Sequence, residues 1–325
     1  MKRVLITGGA GFIGSTLADR LLDDGVEVAI LDDFRTGRRE FVAGALERGA
    51  ELFEGDILDD ALLASAVAGA DAVFHLQANA DVRHGLEHPQ RDLEQNTIAT
   101  SNLLEAMRAA GVRRIAFSST GSVYGDHTQV PTPEDAGFPL QTSLYGASKV
   151  AGEGMISAYC HGFGFTGVIF RFVSLLGERY THGHVIDFYR QLKAHPDHLS
   201  ILGDGTQTKS YLYVQDCISA MLTAFAHHGE APGAHVYNLG HEEIVTVDES
   251  IATITAHLGL DPQIARQEGK DRGWAGDSPL IHLDTTKLQA LGWAPTLTIR
   301  EAIARTLDWF EAEPAIVLQQ EPSHS

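Results

Sequence analysis

The stretch Val4-Leu5-Ile6-Thr7-Gly8-Gly9-Ala10-Gly11-Phe12-Ile13-Gly14 decides the fold. Its first four residues read as a buried strand. Beyond the glycines, Ile13, Leu17 and Leu21 recur every four residues until Gly25, which is the apolar stripe of a helix with a helix-stopping glycine behind it. Between strand and helix, Gly8 suits a tight turn, Gly11 lets the backbone approach a pyrophosphate, and Gly14 lets helix and strand pack closely. The helix N-terminus then faces the anion. Three spaced glycines alone would mark only a turn, but in a strand-loop-helix setting they point to dinucleotide binding.

Outward from this loop the same rhythm continues. Val26–Leu31, Glu51–Glu54, Ala72–Leu76 and Arg114–Ser118 read as strands, with helices near Gly37–Arg48, Asp60–Ala68 and Gln90–Ala110. Strand-helix alternation with near-continuous apolar strands predicts an α/β fold with a doubly wound parallel sheet of Rossmann type. After Phe172 come loops rich in His, Gly and Pro, then helices near Val247–His257 and Ile299–Glu311, with returns to the sheet at Gly167–Phe172 and His235–Leu239. The expected division is a dinucleotide domain over 1–173 and 211–240, an interleaved smaller α/β substrate domain over 174–210 and 241–313, and a tail over 314–325.

The 325 residues are 44% hydrophobic and 21% charged, with no run near the ~20 apolar residues of a membrane helix. Met1–Gly8 has a basic pair, but its apolar run is too short for a secretory segment, so a cytoplasmic protein is expected. With 24 Lys+Arg against 43 Asp+Glu the net charge is −19, which repels phosphate backbones and argues against a nucleic-acid partner. Any phosphate must be held locally. Cys160 and Cys217 form no ribbon or disulfide pattern and read as buried apolar residues. His182/His184, His195/His198 and His227/His228 lack a third ligand at suitable spacing, so they read as solvated surface and no metal is expected.

Two acidic positions extend the dinucleotide reading. Asp32 lies 18 residues beyond Gly14 at the end of the second strand, where a carboxylate accepts hydrogen bonds from an adenosine ribose. It would repel a 2′-phosphate and so favours NAD over NADP, although Arg35, Arg38 and Arg39 lie close by. Asp33 reads as the start of the next loop. Asp56, followed by Ile57, suits either the adenine amino group or a helix cap.

Tyr145 and Lys149 are four residues apart, on one face if helical. A phenol acting as base near neutral pH must lose about three units of pKa, roughly 4 kcal/mol, and Lys149 with a cationic nicotinamide ring are the available sources. Ser118-Ser119-Thr120-Gly121-Ser122-Val123-Tyr124-Gly125 places hydroxyls beyond the carboxyl end of a central strand, the edge at which open α/β sheets bind ligands. Thr120 can there hydrogen-bond the oxygen that Tyr145 deprotonates.

Together Thr7–Gly14, Asp32, Asp56, His75-Leu76, Asn96, Ser118–Gly125 and Tyr145–Lys149 resemble the extended short-chain dehydrogenase/reductase family, specifically its NAD-dependent nucleotide-sugar epimerases and dehydratases. The resemblance continues through Ile201–Gln207, Val236–Gly240 and Leu291–Pro295. It implies an NAD site at Gly8, Gly11, Phe12, Ile13, Gly14, Asp32, Asp56, Ile57, Leu76, Gln77, Ala78, Asn96 and Ser118. It also implies Tyr145 as base, Lys149 on the nicotinamide ribose, Thr120 orienting the sugar hydroxyl, Asn96 supporting Lys149 through water, and a homodimer.

Within that resemblance, dehydratases carry an Asp-Glu pair where this chain has Gly121 and Ser122, and decarboxylases tend to carry Glu at Ser122. Neither Gly121 nor Ser122 can supply the proton transfers of elimination. The resemblance therefore implies 4-epimerisation of a UDP-linked hexose or hexuronate through a transient 4-keto sugar. A decarboxylase, dehydratase, reductase or non-catalytic NAD-binding regulator are the alternatives. Substrate contacts are expected at Thr120, Ser122, Ser174, Lys209 and Arg272. Ser174 stands where relatives commonly have Asn, and Lys209-Ser210 replaces a common Arg-Asp, so a diphosphate would meet a point charge rather than a bidentate fork.

Overall fold

The computed structural model describes residues 1–79, 88–125, 129–137, 140–266 and 281–319. Strand β1 (Arg3–Thr7) leads into helix α1 (Phe12–Asp23). The alternation continues through β2 (Glu27–Asp32), α2 (Arg39–Glu47), β3 (Glu51–Glu54), α3 (Asp60–Val67) and β4 (Ala72–His75). Next come α4 (Pro89–Asp92), a π-helical stretch Leu93–Ile98, α5 (Ala99–Ala110), β5 (Arg114–Thr120) and a 3₁₀ turn, Gly121–Tyr124. The middle of the chain holds α6 (Leu144–Phe163), β6 (Thr166–Phe172), β7 (Ser174–Leu176), α7 (His184–Ala194), β8 (His198–Ile201), β9 (Thr208–Lys209), β10 (Tyr211–Tyr213) and α8 (Val214–His228). The remainder is β11 (Gly233–Leu239), β12 (Val245–Thr246), α9 (Val247–Leu258), β13 (Gln263–Arg266), α10 (Thr286–Gln289), α11 (Ile299–Ala312) and α12 (Pro314–Val317).

Seven parallel strands form one sheet in the order β11-β6-β5-β4-β1-β2-β3. Both faces are covered, and the two-residue period of the strands divides their apolar side chains between two cores. Val4, Ile6, Phe74 and Phe170 enter one cluster; Leu5, Val73, Phe117 and Ile169 enter the other. A third cluster, including Val185, Tyr189, Ile254, Ile303 and Phe310, lies under α7, α9 and α11. Strand order reverses between β1 and β4, where Thr7 pairs with His75. A ligand crevice belongs beyond the carboxyl ends of those two strands, so the order of the sheet alone directs the eye to Gly8 and Leu76.

The doubly wound parallel sheet is as expected; four local readings are not. The helix expected over Gln90–Ala110 is α4, a π-helical stretch and α5, and the wider turn carries two consecutive polar residues, Gln95 and Asn96, to buried positions. Two helices stand where loops were expected. In α7, Val185, Ile186, Phe188, Tyr189 and Leu192 are buried, and in α8, Val214, Cys217, Ile218, Met221 and Phe225. Both sets follow helical spacing, interrupted only by polar residues on the outer faces. Residues 314–319 do not behave as a tail. Val317 is buried, and its carbonyl accepts from Arg190 Nε at 2.9 Å. Nor are all the paired histidines solvated: His184 bonds Tyr211 and His228 stacks on His235 at 3.5 Å.

Candidate active site

The loop after β1 is one that only glycine builds. Gly8 has φ +70°, and a Cβ there would lie 2.7 Å from the Gln77 amide nitrogen. A Cβ at Gly14 would lie 2.2 Å from Gly8 O, so α1 seats directly on the turn. Gly11 is the N-cap of α1 and gives no side-chain cap, and Phe12 and Ile13 open the helix half-buried. The first amides of α1 are thus left for an anion. Across the crevice Leu76, Ala78 and Gln77 follow β4, and Gln77 Oε1 is buried without a hydrogen-bond partner. An uncapped helix start, a glycine cradle and an orphaned amide oxygen are a fit for a dinucleotide.

At the end of β2, Asp32 is buried and its carboxylate accepts from Ala10 N at 2.8 Å and Phe34 N at 2.9 Å, which ties the glycine loop to β2. Burial raises its pKa against the pull of those two amides. The nearby arginines are engaged elsewhere. Arg35 bridges Asp33 and Asp56 at 3.1 Å each, Arg39 pairs with Glu54, and Arg38 donates to Ile316 O and Gln319 Oε1 at 3.3 Å. Asp56 caps its own loop through Leu58 N at 3.0 Å and accepts from Gln95 Nε2 at 3.1 Å; Ile57 beside it is buried. Gln95 in turn accepts from Gln77 Nε2 at 2.8 Å, so a chain of amides spans from β4 to Asp56. Gln95 is unmarked in the sequence because only the π-helical register turns it inward.

Helix α6 begins at an N-cap, Ser143, whose hydroxyl accepts from Gly146 N at 3.0 Å. One turn in, Lys149 is buried and donates from Nζ to Ser118 O at 2.7 Å, with the Phe117 ring centroid 4.8 Å away. Tyr145 lies on the same face, its ring 5.9 Å from Lys149 Nζ. Burial pushes the Tyr145 phenol up to about 12, Asp92 adds to the rise, and the Thr120 hydroxyl opposes it. Burial pulls Lys149 down to about 7, against the raising influence of Glu153 and Asp92. Thr120 also accepts from Ser122 N at 3.1 Å and donates to Ser122 Oγ at 3.2 Å.

Asn96 does not bond Lys149 directly. Its amide donates to Ser148 Oγ at 2.9 Å, which itself donates to Tyr145 O at 2.7 Å, and its Oδ1 accepts from Asn79 N at 2.7 Å. Asn79 and Asn96 both donate to buried Asp92. Asp92 and Glu153 went unnoticed in the sequence, although Glu153 repeats the four-residue spacing from Tyr145 to Lys149.

The expected sugar contacts are less concentrated. Ser174, exposed on β7, is the register partner of Tyr211 on β10, and lies two residues past Phe172, the partner of Thr120. Lys209 is half-buried on β9, opposite Val245. Arg272 lies outside the described residues. Among those described, no three His, Cys, Asp or Glu side chains converge as a metal ion would need, and no helix is long and apolar enough to cross a membrane.

Known proteins share this fold and much of this sequence. The chain is 34% identical over 316 residues to a UDP-glucose 4-epimerase of Mycolicibacterium smegmatis, covering 95% of this chain and 98% of that one. A solved UDP-galactose 4-epimerase superposes with TM-score 0.84 at 39% identity, over 96% and 99% of the two chains. The UDP-glucose 4-epimerase of Thermotoga maritima, solved with UDP-glucose, gives 0.85 at 30% identity over 96% and 99%. Residues 4–240, from the glycine loop to the end of β11, match the model of the NAD dependent epimerase/dehydratase family, and the chain is a member of that family with NAD as its cofactor.

Proposed function

We propose that the protein interconverts the C4 epimers of a UDP-linked hexose or hexuronate with no net redox change. NAD, held by the glycine loop and Asp32, would supply the hydride acceptor and donor. Tyr145 takes the 4-hydroxyl proton, Thr120 holds the same oxygen, and Lys149, which would also hold the cofactor ribose, lends its charge to the phenolate. With Tyr145 at about 12 in the chain alone, that cationic surrounding is what makes the base usable. The 4-keto sugar then turns over and recovers its proton from Tyr145 on re-reduction.

The single observation that favours epimerisation over elimination is at Gly121. A Cβ there would lie 2.4 Å from Ile281 Cγ2 and 3.3 Å from Phe172 O. A side chain at the position an eliminating enzyme gives to a carboxylic acid would have to displace Ile281, glycine offers no acid there, and the Ser122 hydroxyl beside it is too weak an acid to serve instead. The dinucleotide assignment rests on Gly8, Gly11, Gly14 and Asp32, with Phe12, Ile13, Asp56, Ile57, Leu76, Gln77, Ala78, Asn96 and Ser118 lining the same crevice. The sugar nucleotide is assigned to the lobe of 174–210 and 241–313, with the dinucleotide domain over 1–173 and 211–240. Ser174 and Lys209 of that lobe, with Ser122 of the dinucleotide domain, would meet it.

Incubation with UDP-glucose, UDP-N-acetylglucosamine and UDP-glucuronate in turn, without added NAD, should give an equilibrium mixture of 4-epimers from at least one, seen by NMR. A 4-keto-6-deoxy sugar, or carbon dioxide from the glucuronate, overturns the proposal. We further infer a homodimer, supported by exposed Ile98, Leu144 and Phe163 at the ends of the neighbouring helices α5 and α6, and checked by sedimentation. Two buried free thiols are compatible with a reducing cytoplasm.

A further inference from the structure

One helical turn beyond Lys149, and on the same face of α6, lies a buried ion pair with no part in the chemistry above. Glu153 receives Arg171 through two bonds, Nε to Oε1 at 3.0 Å and Nη2 to Oε2 at 2.7 Å. Both side chains are about 95% or more buried. A pair of this geometry would satisfy itself, yet each partner makes further bonds. Ser119 Oγ donates to Glu153, and Arg171 Nη1 donates to Tyr124 OH at 2.7 Å and to Glu134 O at 3.1 Å. Ser119 follows Ser118, the residue whose carbonyl accepts Lys149 Nζ. Glu153 therefore holds the end of β5 from the same helix that carries Lys149, and brings a negative charge to a lysine with few others near it.

We propose that Glu153, fixed by Arg171 and Ser119, is a positioning residue that keeps Lys149 charged and aimed at the end of β5, and so sets the alkaline limit of turnover. The inference rests on the reading of Lys149 as the cation that supports Tyr145. The charged and titratable groups around Lys149 are Asp92 from α4, His75 from β4, Tyr145 and Glu153 from its own helix, and Arg171 from β6 behind Glu153. His75 is pulled down to about 3 by burial and by Lys149, so it is neutral. Asp92 and Glu153 are then the two groups that favour the charged lysine, against a burial that favours its loss. Loss of the Glu153 charge makes Lys149 release its proton at lower pH, and the positive charge of Arg171, no longer balanced by Glu153, pushes the same way.

The chain has six lysines, so Lys149 can be followed in the purified holoprotein by ¹³Cε-lysine NMR and assigned with Lys149→Met. In Glu153→Gln the Lys149 titration should move down by about one unit, a tenfold change in the ratio of charged to neutral lysine, and the alkaline limb of kcat should move with it while KM stays within about threefold. Glu153→Asp keeps the charge and should return most of the shift. Should the Arg171 charge without Glu153 prevent Glu153→Gln from folding, the double variant Glu153→Gln/Arg171→Met removes both charges of the pair and is expected to show the same direction. A folded variant whose Lys149 titrates as in the wild type overturns the proposal. Because the titration is read without turnover, a wild-type protein that forms no epimer would refute the proposed reaction and leave this result standing.

Discussion

At the end of β1, backbone shape does the work: Gly8 turns, Gly14 lets α1 seat on the turn, and the start of the helix is left uncapped. Around β7 and β9 the proposed sugar contacts, Ser174 and Lys209, are side chains on short strands, with no comparable glycine cradle at either position. The first region admits few solutions, because a Cβ at Gly14 has nowhere to go. The second admits many, since a point charge, a fork or an imidazole can each meet an anion. A family can therefore share the first region while its members alter the second, and on the proposed reading this chain does so at Lys209-Ser210 and Ser174.

Between the two regions stands Tyr145, and its replacement is expected to have the largest effect. Tyr145→Phe removes the proton acceptor and should lower kcat by about 10²- to 10⁴-fold. Bound NAD, measured after denaturation, should be unchanged, because the substitution keeps the ring on α6 and removes only its hydroxyl. Turnover near the wild-type rate would make Tyr145 an ordinary helix residue and would leave the site to the side chains of the outer lobe.

Gly14→Ala asks whether the glycine loop is as unforgiving as its geometry. The added carbon must displace Gly8 O from 2.2 Å, and such overpacking costs about 1–3 kcal/mol. The outcome should be a lower melting temperature together with protein purified largely free of dinucleotide. Full NAD content in a stable Gly14→Ala variant would mean that the loop is more plastic than the comparison allows.

What could be read in advance follows the same division. The glycine loop, the strand rhythm and the Tyr145–Lys149 spacing are visible because backbone constraints and helical periodicity repeat at fixed intervals. The inward turn of Gln95 beside Asn96 is not, since it depends on a π-helical register that no residue pattern announces. The Glu153–Arg171 pair was equally hidden: its members lie 18 residues apart and meet only because α6 packs on β5 and β6. Helices α7 and α8 were legible in principle, through Val185, Tyr189 and Leu192 and through Cys217, Met221 and Phe225. The glycines and histidines around them drew the reading toward loop.

Asp32→Ala tests a side chain in the proposed cofactor region to which a chemical role is assigned besides its structural one. It should weaken NAD by roughly 10- to 100-fold, the range for a hydrogen bond to a charged group, and NADP much less. Since Asp32 also accepts from Ala10 N and Phe34 N, Asp32→Asn separates the two roles: it keeps the side-chain volume and one acceptor but loses the charge. Equal losses for NAD and NADP in both variants would show that Asp32 serves the loop rather than the ribose. NADP as the dinucleotide released from wild-type protein would remove the assignment altogether.

The smallest effect is expected at Lys209, and it sharpens the comparison most. If Lys209 meets the diphosphate of the sugar nucleotide as a single point charge at a half-buried position, Lys209→Ala should raise KM for the UDP-sugar by about three- to tenfold, with kcat and NAD content unaltered. Lys209→Arg restores the charge and adds a planar fork, which suits a phosphate better than an ammonium does. It should bring KM to the wild-type value or below it. Ser210, however, is buried and donates to His241 O and Glu243 O, so β9 and β10 are held in place by a residue that leaves little slack for a longer guanidinium. A raised KM in Lys209→Arg with Lys209→Ala near normal would place the diphosphate away from β9. The anion would then be held by another part of the outer lobe, and the exchange of Arg-Asp for Lys-Ser would mark a moved contact rather than a weakened one.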